Sequence, residues 1–141
     1  MKLKIYLDTS VFSAYLDATN PERLSLTHEF WGHLDRFDVY ISEQVLAEVA
    51  ATPNPRRKQK LQNLTIAINS IPLTAEAEEL AVEYLKYGVV PQRFKSDANH
   101  LSIATLAGID YLISWNFKHI VNERTRRIVN MVNQLRGLKQ L

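Results

Sequence analysis

At 141 residues, 46% of them hydrophobic, with four Gly, five Pro and no Cys, the chain has the length and apolar share of one globular domain, expected to span residues 1–141. The lack of cysteine excludes a disulfide framework, thiol nucleophiles, Fe–S clusters and Cys-containing zinc sites, and fits a reducing compartment. The 17 Lys plus Arg nearly balance 15 Asp plus Glu, yet residues 1–55 hold 4 basic and 8 acidic side chains while residues 117–141 hold 6 and 1, so acid gathers early and base late.

Leu3, Ile5 and Leu7 with Tyr6 between them predict a short buried strand ending at the polar triplet Asp8-Thr9-Ser10. A short helix is expected over Val11 to Leu16, and a second begins at Pro21, with Leu24, Thr27, Trp31 and Leu34 at helical spacing. Phe37 to Ile41 is the second strand, and Ser42 is a helix cap followed directly by Glu43 to Val49. After the loop Thr52-Pro53-Asn54-Pro55 the pattern predicts a helix over Arg56 to Asn69, then a short extended piece at Ile71-Pro72-Leu73. Thr74 caps a helix over Ala75 to Tyr87 that ends at Gly88, and Ser96 is expected to cap another that runs to Ala107 and stops at Gly108. Tyr111 to Trp115 is the next strand and Glu123 to Leu135 the last helix.

Strands that alternate with helices pair in parallel and place helices on both sheet faces, which predicts an α/β sandwich. No apolar run is long enough for a transmembrane helix, and Met1-Lys2-Leu3-Lys4 leads into a strand rather than a signal sequence; a cytoplasmic protein is expected.

In such sheets ligands bind beyond the carboxyl ends of the strands. Asp8 ends the first strand, Glu48 lies in the helix leaving the second, Asp97 starts the helix before the Tyr111 strand, and Asn116 follows that strand. Hard oxygen ligands without His or Cys suit Mg2+ or Mn2+ and metal-assisted phosphate hydrolysis. Each residue also has an ordinary role: Asp8 as a helix cap, Glu48 as a solvated or ion-paired side chain, Asp97 as a partner of the helix dipole, Asn116 as a turn former.

Other chemistries fail on spacing. The glycines stand at 32, 88, 108 and 137, so neither a P-loop nor a G-x-G-x-x-G dinucleotide motif can be built. There is no G-x-S-x-G elbow and no H-E-x-x-H pair, and a haloacid-dehalogenase-like phosphatase would need Asp where Ser10 stands.

Taken together, Leu7-Asp8-Thr9-Ser10-Val11, Ser42 to Val49, Ser96 to Ala104 and Tyr111 to Ile120 resemble the PIN domain, and more closely its VapC-type toxins of prokaryotic toxin–antitoxin pairs. The resemblance implies a three-layer sandwich around a central, mostly parallel sheet. It also implies an Mg2+- or Mn2+-dependent endoribonuclease acting on RNA, often homodimeric and held inactive by a cognate antitoxin protein. Asp8, Glu48 and Asp97 then correspond to the acidic metal ligands, with Asn116 where many PIN domains carry a fourth acid. An amide oxygen still ligates a hard cation but adds no charge, so a single-metal site is expected. The alternative is an RNA- or antitoxin-binding scaffold whose catalysis is weakened or lost through Asn116. Ser10 and Ser114 are expected to orient water or phosphate, and His100 to be a packing histidine before it is a general base. RNA would approach across Arg56, Arg57, Lys58, Lys60 and the 118–127 segment. Phe30 and Trp31 are expected to exceed what one core needs and to leave a self-association patch.

Overall fold

The protein, described over residues 1–141 by a computed structural model, is built on four short strands: β1 (Lys4–Leu7), β2 (Asp38–Ser42), β3 (Asn69–Ile71) and β4 (Tyr111–Ile113). They form one all-parallel sheet in the order β3-β2-β1-β4, with Tyr6 opposite Tyr40 on one side and Leu112 on the other. Seven helices complete it: α1 (Thr9–Leu16), α2 (Pro21–Trp31), α3 (Glu43–Ala50), α4 (Pro55–Thr65), α5 (Ala75–Lys86), α6 (Lys95–Leu106) and α7 (Glu123–Leu135). This is the expected three-layer α/β sandwich.

Strand β1 is central because its residues are apolar on both faces. Ile5, Tyr6 and Leu7 are all buried, as a parallel strand covered on both sides requires. One part of the core joins Ile5, Leu7, Phe12, Ile41 and Val45; another joins Leu80, Tyr84, Leu101, Val129 and Val132 under α5, α6 and α7. One turn fixes the entry into β4. Gly108, at φ +68°, follows α6 in the left-handed region that glycine adopts without Cβ strain. Its N–H and that of Ile109 bond back to Thr105 and Ala104 (both 3.1 Å), so the helix ends sharply and the chain turns straight into the strand.

Several expectations are corrected. The helix predicted to Asn69 stops at Thr65, and the extended piece begins at Asn69 rather than Ile71, because pairing with Tyr40, Ile41 and Ser42 recruits polar Asn69 and Ser70 into an edge strand. Ser96 is not a cap. A 3-10 turn over Gln92–Phe94 runs directly into α6 with no side-chain cap, which places Asp97 in the first helical turn. Trp31 is not surplus: it packs against Phe12 and Tyr15, with ring centroids 5.4 and 4.8 Å away, and Phe30 also lies against the core. No helix is long and apolar enough to cross a membrane.

Candidate functional site

Asp8 leaves the carboxyl end of β1 and is both the N-cap of α1 and a buried carboxylate, 3% exposed. One oxygen accepts from the backbone N–H of Ser10 (3.1 Å) and from its hydroxyl (2.5 Å); the other accepts from the Ser114 hydroxyl (2.8 Å). The serines expected to orient water or phosphate are thus turned onto Asp8. Burial pushes the Asp8 pKa up; the nearby His100 and the two serine hydroxyls oppose this, and the charge of Glu48 adds to it. No cationic side chain is hydrogen-bonded to this carboxylate.

Glu48, on α3, is held by several donors. His100 Nε2 lies 2.8 Å from Oε1, the Thr9 hydroxyl donates to the same oxygen, and Gln44 donates to Oε2 at 3.3 Å. Gln44 is itself held by Asn99 Nδ2 at 2.9 Å; Asn99 Oδ1 is the one buried side-chain polar atom without a partner. Behind His100 runs a buried chain: Nδ1 lies 2.6 Å from the Tyr6 hydroxyl, which lies 2.7 Å from Ser42 Oγ. Because a carboxylate only accepts, His100 Nε2–H donates to Glu48, and the Tyr6 hydroxyl sits between Nδ1 and Ser42 Oγ within hydrogen-bond reach of both. Burial drives the Tyr6 pKa far above its ordinary value, so the phenol keeps its proton. Burial also acts to raise the Glu48 pKa, but the hydrogen bond and charge of His100, with Thr9 and Gln44, outweigh it and hold this carboxyl below its usual range.

Asp97 projects from the first turn of α6. Its Oδ2 lies 2.7 Å from His119 Nδ1, and its Oδ1 accepts from Asn116 Nδ2 at 3.4 Å. Asn116 Oδ1 accepts from the His119 N–H (3.0 Å), and its own N–H donates to Ser114 Oγ (2.9 Å). Asn116 is therefore a turn former, as its ordinary reading had it, and at the same time the bridge that joins the Ser114–Asp8 pair to Asp97.

All four sequence-predicted residues lie toward the carboxyl edge: Asn116 is bonded to Asp97, Ser114 links Asn116 to Asp8, and Glu48 is held separately by Thr9, Gln44 and His100. No group of three or more His, Asp or Glu side chains stands close enough to hold a metal ion. Glu48 and Asp97 already face histidines, whereas Asp8 is buried and hydrogen-bonded to neutral donors only. The donor set still fits a hard divalent cation, in oxygen chemistry and in the sign of charge that Asp8 lacks. Asp110 lies elsewhere, bonded to Lys139 and the Lys4 N–H. A groove of about 670 Å³ beside β4 and α7, lined by Tyr111, Ile120 and Val129 among others, includes none of the four.

Tyr6 and His119 escaped the sequence reading, and His100 was given too plain a role. One signal was present: a tyrosine between the apolar residues of a fully buried strand needs a partner for its hydroxyl. His119 carried no such signal, since its partner lies 22 positions away on another element.

A family model for the PIN domain matches residues 5–117. Among solved structures, the fold is similar to VapC20 of Mycobacterium tuberculosis, a Sarcin-Ricin loop cleaving toxin. The TM-score is 0.67 at 17% identity, covering 97% of this chain and 98% of that one. It is also similar to VapBC2 from Rickettsia felis, solved bound to a DNA fragment from its promoter, with a TM-score of 0.58 at 18% identity, covering 84% and 94%. Comparison with curated protein sequences returns no match. At these identities the likeness is one of fold, and it agrees with a family match that takes in every strand and the loop carrying Asn116: the chain belongs to the PIN domain family.

Proposed function

We propose that the protein is a metal-dependent endoribonuclease that hydrolyses RNA phosphodiester bonds, acting in the cytoplasm as the toxin of a toxin–antitoxin pair and restrained by a cognate antitoxin. The observation that carries this reading is the buried Asp8 carboxylate, its pKa raised and no cationic side chain bonded to it, at the sheet edge where Glu48, Asp97 and Asn116 also arrive. The family match supports it. PIN nucleases generally use divalent metal ions, and in this chain Asp8, Glu48 and Asp97 are the residues to hold Mg2+ or Mn2+, aided by Asn116. Such an ion supplies positive charge to a phosphate oxygen and acidifies water for attack. The chain's own residues do the rest. Ser10 and Ser114 fix the Asp8 rotamer, His100 and Thr9 fix Glu48, and His119 with Asn116 fixes Asp97. We further propose a homodimer, on the family resemblance alone.

A second reading, an RNA- or antitoxin-binding scaffold without turnover, draws on one observation: Glu48 and Asp97 each already face a histidine and no three ligands stand together. One experiment separates the two. A long single-stranded RNA is incubated with the protein in Mn2+, in Mg2+ and with chelator. Internal cleavage that needs metal and is lost in Asp8→Asn supports the nuclease. Retention of uncut RNA in every condition supports the scaffold.

A further inference from the structure

Beside the carboxylates lie two aromatic–cation stacks that hydrolysis itself does not use. In one, Phe94 leans on the His119 ring at 4.2 Å between centroids, and the Arg93 guanidinium stands 5.0 Å from the Phe94 ring. His119 in turn holds Asp97. In the second, the Arg23 guanidinium stands 5.0 Å from the Trp115 ring, and Trp115 meets Phe117 edge-on at 6.0 Å. Trp115 and Phe117 bracket Asn116, whose amide reaches Asp97. Trp115 is clamped, donating from Nε1 to Thr27 (3.0 Å) and from its backbone N–H to Ser10 Oγ (2.9 Å).

Phe117 is the exception in this group. Phe94 is half-buried between its two neighbours, whereas Phe117 is 54% exposed and touches Trp115 edge-on, which leaves ring surface to solvent. A lone exposed phenylalanine means little. This one is braced by a clamped tryptophan, stands one residue from Asn116 and next to exposed Lys118, and shares the neighbourhood of the carboxylates with the Arg23 and Arg93 guanidiniums. Rings beside cations are what an unpaired nucleic acid strand needs, because every base offers a π-face and every linkage a phosphate.

We propose that Phe117 is the stacking platform for an unpaired base of the RNA, and that Arg23 and Arg93 meet phosphates of the same strand. This rests on the nuclease reading, and what it adds is the residue that takes the base and the two that take phosphates. Neither arginine nor Phe117 is among the residues assigned to the metal or the chemistry.

The test is equilibrium binding, with chelator present so that nothing is cut, of a fluorescent 12-residue oligouridine and of a ribose-phosphate strand of equal length without bases. Phe117→Leu keeps the apolar volume and removes the π-face; at an exposed position it leaves the melting temperature unchanged. It should weaken oligouridine binding about 5- to 150-fold, leave the abasic strand unaffected, and be rescued by Phe117→Tyr. Arg23→Gln and Arg93→Gln should weaken both strands and flatten the salt dependence by about 0.7 each in log–log slope. Phe117→Leu binding oligouridine like the parent, or losing both strands equally, overturns the platform and leaves the nuclease reading standing. A parent protein that binds neither strand overturns the platform, and one that also cuts no RNA in Mn2+ or Mg2+ overturns both.

Discussion

Tyr6→Phe tests the buried chain behind Glu48 most directly, because it removes a single oxygen. That oxygen lies 2.7 Å from Ser42 Oγ and 2.6 Å from His100 Nδ1, and all three residues are at most 2% exposed. Two hydrogen bonds are lost, each about 1 kcal/mol net, and His100 Nδ1 is left buried without a partner, a further cost of about 1–3 kcal/mol. Against this stands the desolvation of the phenol hydroxyl, which the phenylalanine never suffers. Ser42 Oγ also keeps its bond from the Val45 N–H at 3.3 Å. The balance is a destabilisation of about 2 kcal/mol, or a fall in melting temperature of roughly 6–8 °C for a chain of this size. Thermal melts at pH 7 without added metal measure it, and a double-mutant cycle with Ser42→Ala asks whether the two positions act through one network. A coupling of about 0.5–1.5 kcal/mol is expected. Melting within 1 °C of the parent, or strict additivity of the two lesions, would refute the relay.

Asp8→Asn should stabilise the metal-free protein at neutral pH. The folded pKa of Asp8 is raised above its model value of 3.8 by burial and the Glu48 charge, so the parent loses stability as pH rises through that window and the advantage of the variant vanishes near pH 3.8; a gap that stays constant between pH 3.5 and 8 by thermal melting would contradict this. The opposite sign holds for Glu48. Its depressed pKa gives stability that is present above its model value of 4.5 and lost as pH falls through the folded value, so Glu48→Gln should flatten the acid limb of the same melts. Asp97→Asn should weaken Mn2+ binding more than tenfold by calorimetric titration while the fold is retained, and unchanged affinity would remove Asp97 from the ligand set. Asn116→Asp places a carboxylate beside Asp97, which lies 3.4 Å from its amide; it should lower the metal-free melting temperature and tighten Mn2+ binding, and if neither moves, Asn116 is a turn residue only. Charge reversal at Arg56, Arg57 and Lys58 should reduce RNA affinity more at low salt than at high, and an unchanged salt slope would return these residues to an ordinary solvated helix.

Much of the layout was legible along the chain. Alternating strands and helices, the Ser42 and Thr74 caps, and the stops at Gly88 and Gly108 are local signals, and each is where the sequence put it. Boundaries slipped where tertiary pairing overrode local pattern. Asn69 looks like the end of a helix, yet it and Ser70 pair with Tyr40 and Ile41 as an edge strand, and Phe94 rather than Ser96 stands at the cap position of α6. The surplus assigned to Trp31 vanished for a related reason. Composition counts apolar residues but does not say that Phe12 and Tyr15 lie waiting on the neighbouring helix.

The sequence by itself determined the α/β class and the arrival of Asp8, Glu48, Asp97 and Asn116 at one edge, because strand direction and helix start are read from neighbours a few residues apart. Only the tertiary structure decided what each of them touches. Tyr6 and Ser42 stand 36 positions apart, Glu48 and His100 52, Asp97 and His119 22, and such pairings follow from sheet order and helix packing rather than from periodicity. The same holds for charge. Two carboxylates receive histidines and the third, buried at the end of the central strand, receives only neutral donors, a difference that residue type and spacing do not encode because burial and partnership belong to the packed molecule.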